Sequence, residues 1–206
     1  DADEFLPGLE RLARTIKQQG ALAVLQLNHG GRFAKTPHPL APSALDAAHI
    51  PFHIASLKQF MEFFPLEHRF GLTRDFMQRV TAWTRSMSED EKEAVVAAFG
   101  QAAARACAAG FDAVELHGAT GYLLTQFLSG FSHKDASGSP AGFHERIRFP
   151  LQVVREVKRR LPAEFLLGFR LLLHEWVPGG IDLGEALAFA EKLAAEGVGY
   201  FSPSVA

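Results

Sequence analysis

The segment Ala109-Gly-Phe-Asp-Ala-Val-Glu-Leu-His117-Gly-Ala-Thr-Gly-Tyr122-Leu-Leu-Thr-Gln-Phe127 decides the fold of this 206-residue chain. Its first half has the composition of a short buried strand, and its last residues have the composition of a helix. Ligands of parallel α/β proteins bind at the C-terminal ends of the strands. His117 and Tyr122 follow such a strand directly, so both are candidates for chemistry.

This segment belongs to a pattern in which a helix precedes a strand four times. The predicted helices cover residues 5–19, begin at Ser88, begin near Phe149-Pro150 and begin at Asp182; the predicted strands cover residues 22–27, 112–116, 165–173 and 200–204. Such alternation indicates a parallel sheet, either a TIM (β/α)8 barrel or a doubly wound sheet. No G-x-G-x-x-G opens a helix after a strand, which favours the barrel. Four units amount to about half of an eight-stranded barrel.

Residues 33–87 interrupt this alternation between the first and the second strand. The stretch contains several prolines, an aromatic-rich run and a predicted helix from Thr73 to Arg85. Long connections of this kind are usually functional lids or inserted subdomains. We therefore expect one partial barrel domain over residues 1–206, with an insertion or lid at 33–87 above the C-terminal ends of the strands.

Composition excludes several other classes of protein. The chain has 21 basic and 23 acidic residues, a formal charge of -2, so no nucleic acid or anionic membrane partner is expected. With one cysteine, no apparent leader and no long apolar stretch, a soluble cytoplasmic protein is expected. His49 and His53 have the spacing of helical metal ligands, but Pro51 lies between them, so no metal site is predicted.

Seven short segments occur in an order typical of one enzyme family. They are Gln26-Leu-Asn-His-Gly-Gly-Arg32, Ala41-Pro-Ser43, residues 109–129, Arg146-Ile-Arg-Phe149, Gly168-Phe-Arg-Leu171, Gly179-Gly180 and residues 200–204. In these segments the chain resembles the Old Yellow Enzyme family of FMN-dependent ene-reductases and NAD(P)H:flavin oxidoreductases. The resemblance covers most of the chain outside the insertion. It implies a TIM barrel of which this chain is the central portion, family strands 3 to 6, with FMN as cofactor and NAD(P)H as reductant.

The resemblance implies that two polar side chains of the predicted strands bind the cofactor. Gln26 matches the glutamine that hydrogen-bonds the flavin pyrimidine edge, and Arg170 matches the arginine beside flavin N1 and the C2 carbonyl. An unsatisfied buried amide costs about 1 to 3 kcal/mol, and a lone buried guanidinium needs an anion or several acceptors. The alternatives are a bond from Gln26 to a neighbouring loop and an ion pair between Arg170 and Glu115.

The resemblance also implies the substrate end of the site. His117 matches the residue that binds a carbonyl or nitro oxygen of the substrate, and Tyr122 matches the acid that protonates the alkene carbon. A phenol stays protonated at neutral pH, so it can serve as such an acid. The family's second substrate donor, a histidine or an asparagine, is replaced by Thr120. The alternatives are a core or strand-end histidine and a tyrosine that packs on its helix.

The chain departs from the family pattern in two further respects. Residues 130–142 lack the usual asparagine, arginine, aspartate and glycine pair, and the first two and last two family strands, including the FMN phosphate site, have no match. Either a longer chain supplies them or a partner or second copy does. The predicted function is reduction of an activated alkene by NAD(P)H through FMN. The alternatives are a catalytically impaired interaction module and a flavoprotein with different redox chemistry.

Overall fold

The architecture is a parallel sheet covered by helices. The computed structural model describes residues 2–34, 36, 38–44, 84–177 and 179–205. The strands are β1 (Val24–Leu27), β2 (Leu40–Ala41), β3 (Arg85–Ser86), β4 (Ala113–Gly118), β5 (Leu166–His174) and β6 (Tyr200–Val205). The main sheet has the order β1-β4-β5-β6, and all its neighbouring strands are parallel. Strands β2 and β3 pair separately, also in parallel.

The helices alternate with these strands, as the sequence pattern predicts. They are α1 (Leu6–Lys17), α2 (Glu89–Ala108), α3 (Leu123–Leu128), α4 (Phe143–Arg160) and α5 (Leu183–Ala195). Ser88 begins α2 with a capping box, in which its hydroxyl accepts from the Glu91 amide and the Glu91 carboxylate accepts from the Ser88 amide. Asp182 caps α5 by accepting from the Glu185 amide at 2.8 Å. Both capping patterns are therefore confirmed as helix starts.

The predicted start of the helix in the third helix-strand unit, near Phe149-Pro150, is wrong. Helix α4 begins at Phe143 and contains Pro150 in its interior. Its first turn is fixed by Arg146, which donates from Nε to the Ala141 carbonyl at 2.9 Å and also bonds the carboxylate of Glu185. These tertiary contacts hold the turns that precede the proline, and they have no local sequence signature.

Only the ends of the predicted insertion fall within the described residues. Residues 45–83 lie outside them, and with them the lid, most of the predicted helix from Thr73 and the His49 and His53 pair. The predicted end of that helix is wrong, because Arg85 belongs to β3, where it pairs with Leu40. In the described ranges, no helix has the length and apolar character needed to cross a membrane.

The core lies between the sheet and the helices. The largest fully buried side chains include Leu116 of β4, Phe169 of β5 and Phe189 of α5. The rings of Phe169 and Phe189 meet edge to face, with 5.6 Å between centroids. Burying such side chains stabilises a fold by about 1.5 to 3 kcal/mol each. This packing identifies the face of the sheet that the helices cover. The opposite face does not contribute these core side chains.

Candidate functional site

The face of the sheet opposite the apolar core carries most of the predicted site residues. Side chains alternate between the two faces along a strand, and parallel register aligns neighbouring strands. We call this the polar face, and it comprises Gln26, Glu115, His117, Arg170, Tyr200 and Ser202. Glu115 pairs with Gln26 on one side and with Gly168 on the other, and His117 pairs with Arg170. The register therefore places Gln26, His117 and Arg170 on one surface.

Gln26 lies at the end of β1, and Glu115 of β4 holds its amide. Nε2 of Gln26 donates to Oε1 of Glu115 at 2.6 Å, and Glu115 is 8% exposed. This bond uses one of the two amide hydrogens, and among the described residues the other N–H and the Oε1 carbonyl remain as a donor and acceptor pair. The alternative bond from Gln26 to a neighbouring loop is not found among the described residues, and the amide bonds the adjacent strand instead.

Tyr200 of β6 extends this group across the sheet. A Cβ atom on Gly168 would lie 2.1 Å from the Tyr200 ring, so the ring covers a position that only glycine leaves open. Burial, followed by the nearby Glu115 carboxylate, raises the pKa of Tyr200 to about 12. The phenol therefore remains neutral beside the carboxylate at any physiological pH.

Arg170 lies on β5 next to His117 and is partly exposed. Among the described residues it forms no ion pair, and the alternative pairing with Glu115 is not found. The Glu115 carboxylate bonds Gln26 instead. The polar face thus presents a guanidinium whose donors are available to an electron-rich ligand.

The surroundings of His117 favour a neutral imidazole that can donate a hydrogen bond. Its Nδ1 accepts from the Ala119 amide at 3.3 Å, which leaves Nε2 to carry the proton in the neutral ring. Burial lowers the pKa of His117, the Arg170 charge lowers it further, and Glu115 partly opposes both effects. A neutral imidazole with hydrogen on Nε2 can donate to a substrate oxygen without changing its charge.

The turn after β4 brings Tyr122 to His117. Thr120 and Gly121 adopt left-handed backbone angles, with φ of 60° and 74°, and Tyr122 then begins α3 as its N-cap residue. The Tyr122 and His117 rings meet edge to face at 5.1 Å between centroids. The ring of Phe33, from the turn after β1, also meets the Tyr122 ring edge to face, at 6.4 Å between centroids. The structure therefore brings His117 and Tyr122 together, with Thr120 exposed beside them.

The altered loop after α3 keeps a set of internal contacts. Nδ1 of His133 lies 2.9 Å from the Phe127 carbonyl, and the Ser132 hydroxyl donates to the Gln126 carbonyl at 2.8 Å. The Ser129 hydroxyl contacts the carboxylate of Glu175, whose pKa is raised by burial. The contacts of Ser132 and His133 hold the start of this loop against α3.

The sequence patterns do not single out two residues that organise the site. Glu115 appears in them only as an alternative partner of Arg170, whereas the structure bonds it to Gln26. Gln126 is an amide within the apolar run of α3, and it bonds the turns that follow both β1 and β4. Its one sequence signal is a polar side chain among Leu123, Leu124 and Phe127.

Comparison with known proteins gives relatives over nearly the whole chain. The NADH:fumarate oxidoreductase of Klebsiella pneumoniae (strain 342) is 34% identical over 214 residues, which cover 100% of this chain and 20% of that protein. The NADPH dehydrogenase of Listeria innocua is 35% identical over 199 residues, covering 95% of this chain and 49% of that protein. The chain therefore spans half or less of the length of these relatives.

Solved structures and a family profile agree with these matches. Morphinone reductase in complex with tetrahydroNAD superposes with a TM-score of 0.71 at 26% identity, over 98% of this chain and 53% of that one. The fold is thus part of a TIM barrel. A profile of the NADH:flavin oxidoreductase / NADH oxidase family matches residues 2–201. The chain belongs to this family of oxidoreductases, the FMN-dependent Old Yellow Enzyme group that its sequence segments resemble.

Proposed function

We propose that this chain forms the substrate end and the flavin pyrimidine side of an FMN-dependent ene-reductase that uses NAD(P)H to reduce activated alkenes. One observation carries the proposal. The ring pair of His117 and Tyr122, 5.1 Å apart, stands at the strand end next to the polar face that carries Gln26 and Arg170. This arrangement supports assigning substrate donors and flavin contacts to neighbouring positions.

The polar face fits the pyrimidine side of FMN. The amide of Gln26 keeps a donor and an acceptor beyond its bond to Glu115, which complements the carbonyl and N–H edge of the flavin. Arg170, without an ion pair among the described residues, would lie near flavin N1 and the C2 carbonyl and stabilise negative charge there. The phosphate would be held by family strands that this chain does not match.

The chain's own residues would orient the alkene and supply one proton. FMN, when bound, would supply the hydride, which originates from NAD(P)H. The Nε2–H of His117 donates to the carbonyl or nitro oxygen and draws charge from the double bond, and the Thr120 hydroxyl is a second donor. Tyr122 gives its hydroxyl proton to the remaining alkene carbon and is then reprotonated by solvent. One hydride and one proton together convert the double bond to a single bond.

Replacement of Tyr122 by phenylalanine tests this assignment. The variant keeps the ring contacts but loses the acid, so alkene reduction should fall by roughly 10²- to 10⁴-fold. FMN binding and flavin reduction by NADH should be unchanged, and stopped-flow absorbance of the flavin measures both half-reactions separately. An unchanged alkene half-reaction would remove Tyr122 from the mechanism. Failure of the wild-type protein to bind FMN would overturn the whole proposal and favour an interaction module.

A second candidate function is NADH oxidation with transfer of electrons to an acceptor other than an alkene. Two observations favour it: Thr120 replaces the second substrate donor of the family, and a relative from Thermoanaerobacter brockii, 30% identical over 204 residues, is named NADH oxidase. In this case NADH reduces the bound flavin, but no activated alkene reoxidises it. The same stopped-flow experiment separates the two functions, because only the ene-reductase is reoxidised by enones or nitroalkenes.

The edges of the sheet bear on partners and location. Among the described residues, β1 and β6 end the four-stranded order, and unpaired parallel edges favour pairing with further strands. We propose that the remaining barrel strands, from the same polypeptide or from a second copy, cover them in a cytoplasmic protein. Sedimentation of the native protein, compared with its intact mass, distinguishes these two sources.

A further inference from the structure

A buried amide lies beneath the site and has no role in the proposed chemistry. Gln126 of α3 is 1% exposed, and its neighbours on the helix include Leu124 and Phe127, which are equally buried. An amide in apolar surroundings destabilises the fold unless its carbonyl and its amino group both find partners. The contacts of Gln126 therefore show what it does.

The two halves of the amide bind two different turns. Its Oε1 accepts from the backbone amide of Arg32, which lies in the turn after β1, at 3.1 Å. Its Nε2 donates to the carbonyl of Gly121, in the turn after β4, at 2.7 Å. The same side chain thus joins the segment that follows Gln26 to the segment that precedes Tyr122.

The backbone is adapted to this contact. Gly31 has φ of 56°, and a Cβ atom there would lie 2.4 Å from Oε1 of Gln126. Only a glycine at position 31 allows the turn to lie this close to the amide. A second bond supports the junction, because the Leu123 amide donates to the His29 carbonyl at 3.0 Å. The two turns and the amide form one packed unit.

We infer that Gln126 is a positioning residue that fixes Tyr122 relative to the flavin edge at Gln26. Gly121 adjoins Tyr122 in the chain, so a bond to its carbonyl restrains the backbone that carries the phenol. The bond to the Arg32 amide ties the same side chain to the turn that follows β1, so the two turns are held at a fixed separation. The inference rests on the proposed function, since it requires that Tyr122 is the acid and that its distance from the hydride donor is kept fixed by Gln126.

The substitution Gln126→Glu tests the inference through pH. A protonated carboxyl can still donate to Gly121 and accept from Arg32, whereas a carboxylate offers no donor and repels the Gly121 carbonyl. Burial raises the pKa of such a carboxyl. As pH rises through that pKa, the alkene half-reaction of the variant should fall by about 10-fold or more relative to wild type, since small misplacements of reacting groups have effects of this size. Flavin reduction by NADH should change by less than about twofold.

Hydrogen exchange of the native flavin-loaded protein gives a readout that needs no turnover. In Gln126→Met, which retains the volume but neither polar contact, amides in residues 30–33 and 119–123 should exchange about 10-fold faster or more, while the α4 core keeps its protection. Gln101→Met, at an exposed position of α2, is the matched control and should change neither turn.

The outcomes separate the two claims. Faster exchange confined to both turns, with selective loss of the alkene half-reaction, supports the inference. Faster exchange confined to both turns in a protein whose wild type reduces no alkene supports the junction and overturns the proposed ene-reductase. Unchanged exchange in the turns, loss of protection throughout the protein, or an equal decrease of both half-reactions in Gln126→Glu overturns the inference.

Discussion

The two faces of the four-stranded sheet differ in composition although they alternate along the same strands. The face under the helices presents Leu116 and Phe169, which are fully buried. The polar face presents Glu115 and Arg170, one residue before and one residue after these positions. One face supplies the free energy that holds the sheet together, and the other supplies hydrogen-bonding groups. Substitutions on the two faces should therefore affect different measurements.

The largest effect is expected on the apolar face. Phe169→Ala removes a side chain with 0% exposure that packs on Phe189, and should lower the free energy of unfolding by about 3 to 5 kcal/mol. Its register partner Phe201, at 36% exposure, provides the matched control. Phe201→Ala should lower this free energy by about 1 kcal/mol or less. Urea unfolding followed by circular dichroism measures both, and equal losses would contradict the dependence of stability on burial within the apolar face.

A smaller effect, on ligand binding, is expected on the polar face. Glu115→Gln replaces a charged acceptor of the Gln26 amide by a neutral one, which weakens that hydrogen bond by about 1 kcal/mol. We expect FMN affinity to fall about 5- to 10-fold, as measured by quenching of flavin fluorescence. Glu93→Gln, at an exposed site on α2, should leave the affinity unchanged. An unchanged affinity in Glu115→Gln would show that the Gln26 amide needs no such support.

The smallest effect concerns protonation of His117. Because burial lowers its pKa, the native state stays neutral while the unfolded chain takes up a proton near pH 6.5. The stability contributed by the neutral ring is complete above pH 6.5 and is lost as pH falls toward the lower pKa of the folded state. Histidine NMR titration should place this pKa below 6.5.

The Arg170→Gln variant separates the two causes of this shift. It should raise the pKa of His117 only slightly, because burial is the larger cause. His29 and His133, whose pKa values burial also lowers, serve as internal controls that should not respond to this variant. A titration of His117 at or above its ordinary value would contradict the role of burial.

Much of the fold follows from local sequence patterns. Ser88 and Asp182 predict helix starts correctly because capping uses side chains within three residues of the helix start. The start of α4 is different, since Arg146 stabilises its first turn through Glu185 on another helix. Proline at position 150 predicts a helix start by local rules, and tertiary contacts override this preference.

For the site, the sequence predicts individual polar residues but not their hydrogen-bond partners. Gln26 and Arg170 stand out because each interrupts an apolar strand, and the structure places both on the polar face. The partner of Glu115 depends on the register between β1 and β4, which no single segment specifies. Gln126 depends on the meeting of two turns that are distant in the chain. Local sequence patterns therefore do not predict hydrogen bonds between residues that are distant in the chain.

The contact between Gly168 and Tyr200 constrains how this sequence can diverge. The phenol ring occupies the space that a side chain at 168 would need, so position 168 cannot gain a side chain unless the residue at 200 becomes smaller. In related proteins we expect the two positions to covary, with a larger residue at 168 accompanied by a smaller one at 200. Such a pair would also remove the phenol from Glu115. Divergence at two compensating positions would then change the hydrogen bonding of the polar face without any change in Gln26 or Arg170.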